Sequence, residues 1–399
     1  MFRIQPDLRF PRFKEPWKKI VLGDISKRPM YGVGASAVEF NNKDVYVRIT
    51  DIEDKSRKLM SRNFTSPSIV NEKYLLKDKD ILFARTGAST GKTYIHENYE
   101  LKYDYYFAGF LIKFEILKSY YPDFIYQYTL TNSYENWVKV MSVRSGQPGI
   151  NSEEYSKLKL NIPRYEEQKK IGDFFSKLDR QIELEEQKLE KLEEQKKGYM
   201  QKIFSQELRF KDENGNDYDE WKEEKLENIA DFQNGKAHEN LVSIEGEYVL
   251  VNSKFISTDT RIKKHVSQQL TPLNKEDIAI VMSDIPNGKA LAKCFLVDEN
   301  NKYSLNQRIG RIYNILGDSR FLYLILNRNK QLLKYDSGVG QTNLKKSEIT
   351  DILLNWPIKE EQQKIGDFFR KIDELIEKQS EKIEVLNMRK KGFLQKMFV

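Results

Sequence analysis

Cysteine is nearly absent: Cys294 stands alone among 399 residues, so no internal disulfide can form and a cysteine-based metal site would have no second ligand. Histidine is almost as scarce, and His96, His238 and His265 are far apart, each expected on a loop or the surface rather than at a metal. No apolar run approaches the roughly 20 residues that cross a bilayer. The opening MFRIQPDLRF also lacks the continuous apolar stretch of a secretion signal. No membrane partner and a reducing cytoplasm are therefore expected. Catalytic signatures are missing too, with no zinc spacing, no nucleophile elbow and no Gly-rich strand–turn–helix for S-adenosylmethionine. NIPRY at 161–165 approaches the Asn-Pro-Pro-Tyr of amino-methyltransferases, but Ile162 and Arg164 break it. Carboxylates are plentiful but fall in helical charge ladders, the pattern of a solvated face. The expectation is a chain with no catalytic residue and no metal of its own.

One stretch argues the other way. TGASTGKT at 86–93 resembles a phosphate-binding loop, whose glycine must precede the Gly-Lys pair by five positions so that backbone N–H groups can wrap a phosphate. That position holds Thr86, and the available glycine, Gly87, comes one residue late. A turn between two strands is the plainer reading. A nucleotide-dependent coiled-coil enzyme remains the rival.

What is present in quantity is apolar core material and charge. A hydrophobic content of 39% with 12% aromatics can fill real cores, and the length suits two or three domains. The net charge of +7 is unevenly placed. Residues 166–205 and 360–399 are nearly balanced, whereas residues 1–165 carry 27 basic and 19 acidic side chains. Residues 206–359 carry 22 and 23, with nine of those acids crowded into 207–227. The globular parts outside that stretch are mildly basic, which suits a polyanionic partner.

The chain is also written twice. EEQKKIGDFFSKLD at 166–179 returns as EEQQKIGDFFRKID at 360–373, and KKGYMQKIF at 196–204 returns as KKGFLQKMF at 390–398, both offset by 194. Weaker echoes extend outward: Ser145-Gly146-Gln147 with Val339-Gly340-Gln341, Asp80-Ile81 with Asp277-Ile278, and Leu8-Arg9-Phe10 and Trp17 with Leu208-Arg209-Phe210 and Trp221. Each frame spells a long helix, about 60 Å at 1.5 Å per residue. Its apolar seam steps alternately by four and three, through Ile171, Phe175, Leu178, Ile182, Leu189 and Leu192, and through Ile365, Phe369, Ile372, Ile376, Ile383 and Leu386. Glu185 and Gln379 interrupt the seams at the same step, either as a register device or as a solvated gap. Pairing within the chain is favoured by matched length, and the spacing admits parallel or antiparallel packing. Between the frames lie mixed segments with short β-like runs (VYVRI, DILFAR, AGFLIKFEI, DIAIVMS) and helical stretches at 123–141 and 321–335. These give an α+β class.

The doubled frame, with PxxxEQxxI at Pro163–Ile171 and Pro357–Ile365 followed by GDFF and LD or ID, resembles the specificity (S) subunit of type I restriction–modification systems, across the whole chain. The resemblance implies two mixed α/β target recognition domains joined by two long helices in an antiparallel coiled coil with an internal pseudo-two-fold repeat. The domains would run 1–163 with the N-terminal segment, 164–205 as central helix, 206–357 as second recognition domain and 358–399 as C-terminal helix. It implies cyclic symmetry, the N-terminal segment completing the C-terminal repeat. Each domain would read half of a bipartite, asymmetric site on double-stranded DNA, with no chemistry in the chain itself. Two methyltransferase (M) subunits would bring S-adenosylmethionine for adenine-N6 methylation. Two restriction/translocase (R) subunits would bring ATP and Mg2+ in the full complex. Phosphate contacts need basic residues and base edges need forked or amide side chains. On that basis the candidates in the first domain are Arg48, Arg85, Lys92, Arg144 and Gln147. In the second they are Asn252, Lys254, Ser283, Lys289 and Gln341, with the Gly-Lys pair at 91–92 aligned on 288–289. A DNA-free assembly scaffold is the remaining alternative.

Overall fold

The computed structural model describes residues 5–60, 64–97, 102–144, 146–285, 288–336 and 338–399. Ser145, part of the repeated SGQ triplet, lies outside the described residues. Two helices dominate, Tyr165–Phe204 and Lys359–Met397. The chain divides into two compact units, Met1–Leu189 with Gln379–Val399, and Glu190–Lys378. Each unit therefore holds one mixed domain, the start of one long helix and the end of the other.

In the first unit the central sheet takes the order Met30–Tyr31, Leu111–Phe114, Ile81–Ala84, Thr93–Ile95, all antiparallel. ILFA and LIKF are buried along their whole length, as expected of short continuous apolar runs. A second layer pairs Asp44–Val47 in parallel with Asp104–Phe107. The helical stretch at 123–141 is two helices, Pro122–Tyr128 and Asn132–Met141, the second started by the Thr131 hydroxyl accepting from the Tyr134 N–H. A hairpin-like pair, Lys18–Val21 with Lys159–Ile162, leads into the first long helix.

The second unit repeats this plan. Its sheet runs Asp231–Asn234, Ile309–Tyr313, Ile278–Val281, Cys294–Leu296, and its parallel pair is Tyr248–Val251 with Tyr303–Leu305. Lys222–Lys225 pairs with Leu353–Trp356 before the second long helix. The register matches strand for strand: Leu82 faces Lys113 where Ala279 faces Arg311. Asp80 and Asp277, buried at the strand starts, each take the basic group of that neighbouring strand, Lys113 at 3.1 Å and Arg311 at 2.7 Å.

The doubled PxxxEQ motif has a mechanical explanation. Gln168 and Gln362 each donate to the preceding proline carbonyl, Pro163 and Pro357, at 2.8 Å, and their side-chain oxygens accept the N–H of Tyr121 and Asp318. One amide thus ties the helix start to the domain. Glu167 and Glu361 are fully buried, and each takes a forked arginine from the LRF segment, Arg9 at 2.6 and 2.7 Å and Arg209 at 3.2 and 2.8 Å. The glycine of IGDFF is required by crowding: a Cβ on Gly172 would lie 2.7 Å from the Tyr121 ring, and one on Gly366 would lie 2.5 Å from the Asp318 carboxylate.

The helices pair antiparallel. In the first unit Asp179 meets Lys390 at 2.6 Å and Glu185 meets Lys382 at 2.8 Å, one number rising as the other falls. In the second unit Lys196 meets Asp373 at 2.7 Å, and Tyr199 packs edge-on against Phe368. All twelve seam residues are buried or half-buried. At the ends the seam also enters the domain cores, Ile171 and Phe175 in one unit and Ile365 and Phe369 in the other. Glu185 and Gln379, equivalent in the repeat, bond to each other: the Gln379 amide donates to the Glu185 carbonyl at 2.9 Å and carboxylate at 2.8 Å. Glu185 is only 5% exposed, so the polar step is a hydrogen-bonded contact between the helices and not a solvated gap.

The cyclic join is explicit. Within the second unit the Leu208 N–H bonds to the Lys202 carbonyl along continuous chain. In the first unit the Leu8 N–H bonds to the Lys396 carbonyl at 2.8 Å, reproducing that bond across the two ends of the chain. His96 and His238 lie on loops, as expected, but are buried rather than at the surface. His96 and His238 are 1% exposed, His96 against the Tyr94 hydroxyl and His238 against the Ser304 hydroxyl and Lys236 carbonyl. Burial pushes the His96 imidazole down to about 4, so it packs neutral.

Two outcomes follow. Phe398 is buried against Phe124 and Phe175, so Phe398→Ala should cost about 3–5 kcal/mol by denaturant unfolding. Hydrogen bonds from Gln379 and Lys382 hold the Glu185 carboxyl at about 2. Because folding favours its ionised form, that stabilisation is whole above the unfolded-chain value of about 4.3 and is lost as pH falls through about 2. Melting temperatures should therefore drop less between pH 4.5 and 2 in Glu185→Gln than in the wild type, and Gln379→Glu should melt lower at neutral pH.

Candidate nucleic-acid interface

At one end of each central sheet, two loops come together. In the first unit the chain leaves Ala84, passes through a short turn at Gly87–Ser89 and returns as Thr93–Ile95. Gly87 and Gly91 adopt φ of 74° and 87°, the left-handed region open to glycine. A Cβ on Gly91 would also strike Val138 at 2.4 Å. Four of the loop's N–H groups are already engaged: Gly87 on Pro148, Thr90 on Gly87, Gly91 on Ala84 and Lys92 on Ser89. The N–H groups of the Gly91-Lys92 pair, which a phosphate-binding loop would present to its ligand, are thus already bonded to the loop's own backbone, which counts against the nucleotide-loop rival.

Lys92 requires a correction. It was expected to present its charge to DNA from a turn, but it is 8% exposed and its ammonium points inward, onto the Ile52 carbonyl at 2.5 Å and Asp54 at 2.6 Å. Nor is Lys289 its counterpart. The Ala84 N–H bonds to the Lys92 carbonyl where the Val281 N–H bonds to that of Lys293, so the second loop is four residues longer and Lys293 is the equivalent lysine. Lys293 makes the same clip, to the Ser257 carbonyl and to Asp259 at 2.7 Å. Lys289 is exposed on a turn built around Asp284, whose carboxylate accepts from the Ile285, Ala290 and Leu291 N–H groups.

Arg48 and Asn252 are also equivalent, each following the strand of the parallel pair and capping the next helical turn. The Arg48 guanidinium is committed to Asp51 at 2.8 and 2.9 Å, and the Asn252 oxygen accepts from the Phe255 N–H at 2.9 Å. Both side chains thus hold a turn. Lys254 is exposed on the short helix that Asn252 caps.

The remaining candidates converge. Arg85 and Gln147 lie on the paired loops of the first unit, where Thr86 bridges to Gly149 and the Ile150 N–H bonds to the Arg85 carbonyl. Gln147 is exposed; Arg144 is held by Glu154 and by the Met141 and Val143 carbonyls. In the second unit Ser283 is 7% exposed and accepts from the Gln341 amide at 2.7 Å, with Ser283 and Asn343 in register. Sequence reasoning missed Tyr31 and Phe110, exposed rings lying 5.0 and 6.0 Å from the Arg85 guanidinium. Their positions before a glycine and after one carried no signal.

Residues 14–194 and 218–387 match the type I restriction modification DNA specificity domain. The chain belongs to this family of specificity subunits. Its DNA-recognition role follows from that membership. The type I restriction enzyme MjaVIII specificity subunit of Methanocaldococcus jannaschii is 24% identical, over 98% of this chain and 93% of its own length. The fold is shared with the type I restriction–modification S subunit from M. genitalium, at TM-score 0.64 and 16% identity over 99% of both chains. A chain from a structure concerned with complex assembly and conformational transition of a type I system matches at TM-score 0.55 and 14% identity, over 97% of this chain and 99% of the other. Among the described residues, no helix is long and apolar enough to cross a membrane.

The inward lysine generates a test. Lys92→Ala should lower stability by about 1–3 kcal/mol through the unfilled carbonyl and lost clip. The salt dependence of DNA binding, which counts phosphate contacts, should stay unchanged.

Proposed function

We propose that each mixed domain of this specificity subunit reads one half of a bipartite, asymmetric site on double-stranded DNA. The paired helices set the spacing and dock two methyltransferase subunits. Those subunits carry S-adenosylmethionine, and two restriction/translocase subunits with ATP and Mg2+ join in the full complex, in the cytoplasm. The chain itself supplies no reacting group. The observation that carries this reading is the repeated sheet with its repeated register, whose loop ends bear different side chains in the two units. One scaffold presenting two sets of contacts suits a site whose halves differ, because base edges are read by side chains and not by backbone plan.

A whole-genome methylation survey with and without the gene should reveal one bipartite motif that disappears on deletion. Exchanging residues 20–160 for another recognition domain should change one half of that motif only. A seven-residue insertion in both helices lengthens each by about 10 Å, about three base pairs at 3.4 Å each, and should widen the gap with both halves intact. Loss of no motif on deletion, or a change in both halves after the single exchange, contradicts the reading.

A further inference from the structure

The register fixes a three-residue slot at the loop end of each sheet. Tyr31 faces Ile112 across the strand pair, and Asn234 faces Gly310 in the second unit. The Arg85 N–H bonds to the Phe110 carbonyl, and the Met282 N–H to the Arg308 carbonyl. The Ile150 N–H bonds to the Arg85 carbonyl, and the Leu344 N–H to that of Met282. Tyr31, Arg85 and Phe110 therefore occupy the places of Asn234, Met282 and Arg308. Each slot holds one arginine, delivered from the middle position in one unit and from the facing strand in the other.

The two arginines share a second property. Unlike Arg48 and Arg144, neither guanidinium has an ion pair or hydrogen bond among the described residues. Arg85 is held by the faces of Tyr31 and Phe110, with its Nε sealed from solvent and unbonded, which leaves the terminal fork as its only usable edge. Stacking on rings fixes the plane of a guanidinium without occupying its donors. Arg308 is exposed at a turn with φ 66°, a sparsely populated conformation for a non-glycine residue. A planar fork with two free parallel donors matches guanine O6 and N7 in the major groove.

We infer that this slot is the base-reading centre of each domain, in which Arg85 and Arg308 each contact a guanine, one in each half of the site. Tyr31 and Phe110 are positioning residues for Arg85. The inference rests on the DNA-recognition function and adds to it the residues and the base.

The test uses the full-length subunit assembled with its methyltransferase partners, selecting from a randomised duplex DNA library and then titrated on single-substitution duplexes at fixed salt. Arg85→Ala and Arg85→Lys should each lose about 10- to 100-fold preference for guanine at one position of one half-site, leaving the other half unchanged. Lysine keeps the charge and not the fork, so it separates reading from charge and from misfolding. Arg308→Ala should do the same in the other half. Phe110→Ala should weaken the Arg85 position, and Phe110→Tyr should restore it. Uniform weakening on all sequences with a shallower salt dependence, an Arg85-dependent half-site without guanine, or unchanged selection by Arg85→Ala overturns the slot. A wild-type complex that enriches no sequence overturns the DNA-recognition reading and the slot with it.

Discussion

Each domain core is closed by a helix end that belongs to the other repeat. In the first unit Phe398 enters between Phe124 and Phe175; in the second, Phe204 lies against Phe321 and Phe369. Those rings can arrive only when the helices run antiparallel, because each helix leaves its own domain and finishes in the core of the opposite one. The Leu8 bond to Lys396, matching Leu208 to Lys202, completes the same circuit at the chain ends. Domain stability and helix pairing are thus one constraint. Aromatic pairs in these cores add edge and offset contacts to ordinary burial, which fixes the rings' orientation.

The repeated parts of the sequence were legible because each is forced by local mechanics. The EQ pair latches a helix to its domain, the buried glutamates need the arginines of LRF, and the glycine of IGDFF lies where a methyl group has no room. The long seams were readable from their period, and the short buried strands from runs such as ILFA and IAIV. Parallel or antiparallel pairing was not readable from the spacing, since a heptad pattern suits both.

The reading surface was the obscure part, for a physical reason. A loop can gain four residues without disturbing the strands it joins, so a constant sequence offset placed Lys92 on Lys289 when the hydrogen bonds place it on Lys293. Both structural lysines clip a carbonyl and a carboxylate, a task indistinguishable in sequence from waiting for a phosphate. Tyr31, Phe110 and Arg308 escaped notice because their meaning comes from neighbours on other strands, distant in sequence and brought together by register alone. Divergence at these places over an unchanged sheet is what lets one fold carry two different recognition surfaces.

The central claim is that the two repeats close on each other antiparallel within one chain. Zero-length carbodiimide coupling of the unmodified protein tests it directly, using an equimolar mixture of isotopically light and heavy chains and identifying joined peptides by mass spectrometry. The structure predicts Asp179 joined to Lys390 and Lys196 joined to Asp373, from contacts of 2.6 and 2.7 Å, always within chains of one isotope. Links between repeat-equivalent helix positions, or light-to-heavy joins at these residues, would contradict it.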